Sequence, residues 1–94
     1  MEMEYLKFDL GYLDRGSIVR VTLEGNAANV RLLDRTNLGY YQRGASHRCW
    51  GGHYERSPAV LQVPDYGHWY IVVDYGGYAG RGRASVQVLS PQGV

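Results

Sequence analysis

An all-β fold is predicted, a single antiparallel β-sandwich or partly open barrel of six to eight short strands. Three observations predict it. The run Gly67-His68-Trp69-Tyr70-Ile71-Val72-Val73-Asp74 is rich in aromatic and β-branched residues and is bracketed by glycine, as befits a central strand. Short apolar/polar alternations recur along the rest of the chain, with turn signals every eight to twelve residues. No strand–helix–strand alternation argues for a parallel sheet.

Each element follows from its own pattern. Tyr5 to Leu10 alternates, with Leu6, Phe8 and Leu10 inward, and Gly11 to Gly16 reads as a connection whose Asp14-Arg15-Gly16 reverses the chain. Ser17 to Leu23 follows with Val19, Val21 and Leu23 inward, closed by Glu24-Gly25-Asn26; Asn29 to Leu33 returns with Val30 and Leu32 inward. Helix is plausible only between Asp34 and Gly44. Asp34 or Thr36 would cap it and Gly44 would stop it, but Gly39 in its middle limits the expectation to one short helical turn near residues 36–43. Ser46 to Tyr54 is a strand interrupted by Gly51-Gly52, a pair that fits a bulge or the close approach of another backbone. Ser57 to Val63 follows with Ala59, Leu61 and Val63 inward; Pro58 and Pro64 flank it and point to a sheet edge. In the Gly67–Asp74 strand Trp69, Ile71 and Val73 share one face, the expected core, and His68, Tyr70, Val72 and Asp74 share the other. After the glycine-rich connection Tyr75 to Gly82, Arg83 to Leu89 is the last strand, with Val86 and Val88 inward. Residues 1–94 form one domain, with 90–94 expected to fray.

Composition narrows the function classes. The formal net charge is +1, so no field of one sign holds a polyanion, and nucleic acid is not the expected partner. One cysteine forms no internal disulfide, which makes the reducing cytoplasm the expected compartment. Met1 to Leu10 holds no continuous apolar segment of signal-peptide kind, and no membrane span is expected. Nine Tyr and two Trp against one Phe point to rings with a wet edge.

Four constellations carry chemistry. His47, Cys49 and His53, with His68 from another strand, hold zinc-type ligands, but a structural zinc site takes four at characteristic spacing and none completes the set, so no metal is expected. Cys49 with His47 invites a thiol-nucleophile reading; two residues apart on one strand, their Cβ atoms sit roughly 6.5–7 Å apart, beyond easy reach for a general base. No catalytic residue is therefore assigned. The loop Gly76-Gly77-Tyr78-Ala79-Gly80-Arg81-Gly82-Arg83 lacks the Gly-Lys-Ser/Thr ending of a phosphate loop and leads into a strand, so no nucleotide cofactor is implied; Arg81 and Arg83 would make an anion contact if Arg15 or Arg35 converged on them. The rings at turns and bulges, Tyr40, Tyr41, Trp50, Tyr54, Tyr66, Tyr75 and Tyr78, either cap the ends of the sandwich or form a platform for a partner.

Taken together, Tyr5-Leu6-Lys7-Phe8-Asp9-Leu10, Gly16 to Leu23, Asn26 to Asp34, Gly51-Gly52, Arg56-Ser57-Pro58, Gly67-His68-Trp69 and Asp74-Tyr75-Gly76-Gly77 resemble one bacterial family, domain of unknown function 1883, over nearly the whole chain. The resemblance implies a small all-β fold and brings no activity, cofactor or catalytic residue. Members of that family stand alone or precede TIR-type signalling domains, which implies a sensing or interaction role; here any effector is expected to be a separate protein. Where two aromatics are expected before the double glycine this chain has Cys49-Trp50, which argues against a requirement for Cys49.

The function expected is therefore non-enzymatic: a binding or protein-interaction module, accessory to a signalling effector, with Trp50, Tyr54, Tyr75, Tyr78, Arg81 and Arg83 as the contact. A ligand-binding domain for carbohydrate or nucleotide, using the same rings, is the alternative. A hydrolase or thiol enzyme built on Cys49 and the three histidines ranks last.

Overall fold

The computed structural model describes residues 5–75 and 82–90. Within them the chain runs β1 (Tyr5–Leu13), β2 (Ile18–Gly25), β3 (Ala28–Asp34), α1 (Arg35–Gln42), β4 (Trp50–Tyr54), β5 (Ala59–Gln62), β6 (Gly67–Asp74) and β7 (Gly82–Leu89). The strands make two antiparallel sheets, one in the order β1-β6-β3-β4 and the other β5-β2-β7. Among the described residues no ladder joins them, so the architecture is a sandwich and not a barrel.

Alternation explains the filling. Val19 and Val21 of β2, Val30 and Leu32 of β3, Ala59 and Leu61 of β5, Val63 just beyond it, and Trp69, Ile71 and Val73 of β6 are buried between the sheets. Leaving so much apolar surface out of water is the dominant favourable contribution to folding. Trp69 is only 3% exposed; its indole N–H donates to the Asp65 carbonyl at 3.0 Å, and its ring meets Trp50 edge-on at 5.4 Å. A buried indole needs such a partner, because an unpaired donor there carries a desolvation cost.

Beside the core of the sandwich lies a second, smaller one. The opposite face of β6 does not look onto water: Tyr70 and Val72 pack with Leu33 and with Leu38 of α1. Asp34 caps the helix by accepting from the Asn37 N–H at 2.9 Å, and Gly44 and Ala45 close it through N–H bonds to Tyr41 and Tyr40. The helix spans about two turns and is the one short helix expected between Asp34 and Gly44. Gly39 is tolerated inside it because docking of Leu38 onto the sheet outweighs roughly 1 kcal/mol of weakened propensity.

Strand limits depart from expectation in two places. Residues 46–49 are not strand, since the Arg48 N–H is taken by the Asn37 side chain at 2.8 Å and the segment follows the helix instead of β3. β1 runs three residues beyond Leu10, through Gly11 to Leu13. At Gly51 a backbone does come close: it sits at φ +121°, and a Cβ there would run into the Val30 carbonyl of β3.

Candidate binding surface

The outer face of the β1-β6-β3-β4 sheet carries the polar and aromatic side chains that core packing does not use. Its ring-bearing end is made by a bulge. Through Asp9, β1 pairs one-to-one with β6 (Tyr5 with Asp74, Asp9 with Tyr70), but the ladder then slips by one residue, so that Gly11 pairs with Trp69 and Tyr12 with His68. One extra residue reverses the facing of everything after it. Without the slip Tyr12 would point into the sandwich; with it, Tyr12 shares the outer face with His68. Gly11 takes φ +71°, and its N–H donates to Asp9 Oδ1 at 2.9 Å, which pins the bulge.

Four rings then line up. Tyr66 stacks on Tyr12 at 5.9 Å between centroids, Tyr12 lies 5.0 Å from His68, and His68 stacks on Tyr70 at 4.8 Å. Tyr70 is buried, whereas Tyr12 and Tyr66 are 65% and 64% exposed. His68 Nε2 is 2.6 Å from Asp9 Oδ1. The Gly11 N–H first, and His68 second, hold the Asp9 carboxyl below its ordinary value, because hydrogen bonds to the charged form favour it. Both bonds fall on Oδ1, and Oδ2 takes neither.

At the other end of the same face is a buried carboxylate. Asp74 is 0% exposed; Asn29 Nδ2 donates to it at 2.9 Å, the Tyr41 hydroxyl at 2.7 Å, and the Arg31 guanidinium forms an ion pair with it. The Arg31 guanidinium also lies 5.3 Å from the centre of the Tyr41 ring. Burial, and after it the bond to Asp74, pushes the Tyr41 phenol up. This cluster clamps α1 to the sheet.

Of the residues expected to form the contact surface, the four described ones are not gathered in one place. Trp50 begins β4, pairs with Leu32 and lines an open cleft between β4 and β5. Tyr54 ends the same strand opposite Ala28, on the order of 13 Å further along. Tyr54 and Tyr75 lean against the sandwich core, and the Tyr75 hydroxyl lies beside Gly82. Arg83 is exposed at the start of β7, opposite Glu24. Tyr78 and Arg81 lie outside the described residues. The anion contact between Arg83 and Arg15 does not form, because Arg83 pairs near one end of β2 and Arg15 precedes the other. The histidines are dispersed as well, His47 against the Ala45 carbonyl, His53 against Asn29 and His68 against Asp9. No three His, Cys, Asp or Glu side chains gather as metal ligands among the described residues.

Sequence reasoning placed Tyr12 in a connection and set aside His68, the two residues that the bulge brings together. The available signal was Gly11 within the continuing alternation Leu10-Gly11-Tyr12-Leu13, since an isolated glycine in a strand pattern marks a bulge.

Fold and surface define a small antiparallel β-sandwich with one helix on its outer face and a ring-bearing patch beside that helix. Residues 3–92 match the family described as domain of unknown function (DUF1883), and the chain belongs to that family. No curated protein matches its sequence.

Proposed function

We propose that this chain is a non-enzymatic binding module that engages a protein partner through the patch formed by Tyr12, Tyr66 and His68. The observation that carries this reading is the stacked, two-thirds-exposed tyrosine pair. Tyrosines offer large rigid area at small entropic cost, and aromatic anchors dominate protein interfaces. Asp9 beside the rings, and Asp65 next to Tyr66 in sequence, favour a partner that presents arginine or lysine: a guanidinium stacks on the ring while its N–H groups reach a carboxylate. The same carboxylates repel phosphate, which counts against nucleotides and nucleic acid. The family resemblance points to a signalling effector as the partner, and the lone Cys49 to the cytoplasm as its setting; no described helix is long and apolar enough to cross a membrane.

A second reading, carbohydrate binding, is favoured by the pairing of an exposed ring face with the free Oδ2 of Asp9. Arrays of short peptides and of glycans, probed with the wild-type chain and with the Tyr12→Ala/Tyr66→Ala variant, test both. Arginine- or lysine-bearing peptides should bind the wild type and lose about tenfold or more in affinity with the variant, whose melting temperature stays within a few degrees because both rings are exposed. Glycan binders alone would transfer the conclusion to carbohydrate. Binders indifferent to both substitutions, or none on either array, would refute the patch.

A further inference from the structure

We propose a second and separate site in the cleft between β4 and β5, which takes a small organic anion with a flat apolar body, of the aromatic carboxylate class. Among the described residues the two strands are edges of different sheets, and they approach each other on the same side of the sandwich. The cleft measures about 500 Å³, within the range of about 300–1,000 Å³ typical of small-ligand sites.

Its walls follow from local structure. Gly51 leaves the β4 wall bare, and no side chain can replace it, since a Cβ would meet the Val30 carbonyl. Next to it the half-buried Trp50 is held by its edge-on contact with Trp69, so one indole lines the cleft in a fixed position. Across the opening, Val60 is 53% exposed, and Leu61 and Pro64 continue the apolar lining.

Polar groups converge on this apolar space. The Val63 N–H donates to the Ser17 carbonyl, and the Val63 carbonyl accepts from Gly16, both at 2.8 Å, so Val63 turns its backbone groups toward β2. Alternation along an antiparallel strand then turns those of Val60 and Gln62 the other way, out along the free edge. Among the described residues those N–H groups have no partner strand.

Charge selects the ligand. Arg15 is the one ionisable side chain among the described residues that line the cleft, and it forms no ion pair among them. A second guanidinium, that of Arg48, lies 5.8 Å from the Trp50 ring centre. No carboxylate among the described lining residues would repel an anion. An unpaired guanidinium beside an indole and an aliphatic wall matches a molecule that has a ring at one end and a carboxylate at the other.

The test is a titration of the full-length chain, followed by amide and indole N–H shifts, with phenylacetate, its uncharged analogue phenylacetamide, and inorganic phosphate. Phenylacetate should shift the amides of Trp50, Gly51, Val60 and Gln62 and the Trp50 indole. Phenylacetamide and phosphate should each bind about tenfold more weakly or not at all, since one lacks the charge and the other the ring. Arg15→Gln, a change in an exposed turn, should weaken phenylacetate by about tenfold, the size of one charge-assisted hydrogen bond. Arg83→Gln and Tyr12→Ala/Tyr66→Ala should leave it unchanged, which separates this site from the ring patch. Equal binding of phenylacetate and phenylacetamide, indifference to Arg15→Gln, or the absence of any shift at these amides would overturn the proposal.

Discussion

Replacing Asp74 by alanine tests whether the outer face of the sheet is held by its buried carboxylate. Asp74 is fully buried and accepts from Asn29, Arg31 and Tyr41, so the substitution leaves three donors facing a site with no acceptor. Breaking a buried ion pair from one side costs about 3–5 kcal/mol. The Arg31 side chain is 24% exposed and can turn its guanidinium to water, which places the expected loss at the low end, about 3 kcal/mol. For 94 residues the whole stability is roughly 5–10 kcal/mol, so the variant stays folded with about half its margin and melts roughly 12–24 °C lower. Urea unfolding followed by tryptophan fluorescence measures it, with an unchanged denaturant slope showing that the same surface unfolds. A double-mutant cycle sharpens the result: Tyr41→Phe should cost about 1.5 kcal/mol in the wild type and close to nothing in the Asp74→Ala background, where its hydroxyl has already lost that acceptor. A loss below about 1 kcal/mol for Asp74→Ala would refute the reasoning.

Three further outcomes are expected. Trp69→Ala removes an almost fully buried indole, its bond to Asp65 and its contact with Trp50, and should cost about 3–5 kcal/mol, read as a large fall in melting temperature; an unchanged melt would put Trp69 outside the core. Gly11→Ala meets no atom within 4 Å yet must adopt φ +71°, so it should cost about 1–2 kcal/mol from the backbone alone, measured by urea unfolding; a neutral result would remove the bulge. The Tyr41 phenol is raised in the folded chain above its ordinary 10.0. Its contribution is therefore complete below pH 10 and is lost as pH rises beyond it, because the unfolded chain ionises first. Melting curves between pH 9 and 11.5 should fall more steeply for the wild type than for Tyr41→Phe, and parallel curves would contradict the link to Asp74.

Period-two alternation is a strong signal where one face is oily, and so the filling of the sandwich was legible residue by residue. Val19, Val21, Val30, Leu32, Ala59, Leu61, Trp69, Ile71 and Val73 all lie where the pattern puts them. Alternation says nothing, however, about what covers the second face of a strand. Tyr70, Val72 and Asp74 were legible as facing away from the core, but their burial depends on Leu38 and Tyr41, which come from a helix whose propensity is weakened by Gly39. Register is equally silent: the slip at Gly11 exists only as a relation between β1 and β6, and no pattern within β1 states it. The rings singled out from sequence are those at turns and bulges, a criterion that includes Tyr66 and passes over Tyr12. The patch arose instead from a shift inside a strand.

Why that patch stays uncovered is a matter of lengths. Eight residues of α1 rise about 12 Å, whereas eight residues of β6 extend about 26 Å. A helix so short covers only part of the face, and its contacts decide which part. Leu38 seats on Leu33, Tyr70 and Val72, and Tyr41 reaches Asp74 at the C-terminal end of β6. None of these helix contacts reaches His68 at the N-terminal end of β6, and there the bulge delivers Tyr12 beside it, with Tyr66 stacked on Tyr12. Tyr70, stacked on His68 yet packed against the helix cluster, marks the boundary between the two halves. The Asp74 cluster therefore acts on the patch at a distance: by fixing the helix at one end of the sheet it leaves Tyr12 and Tyr66 at the other end exposed.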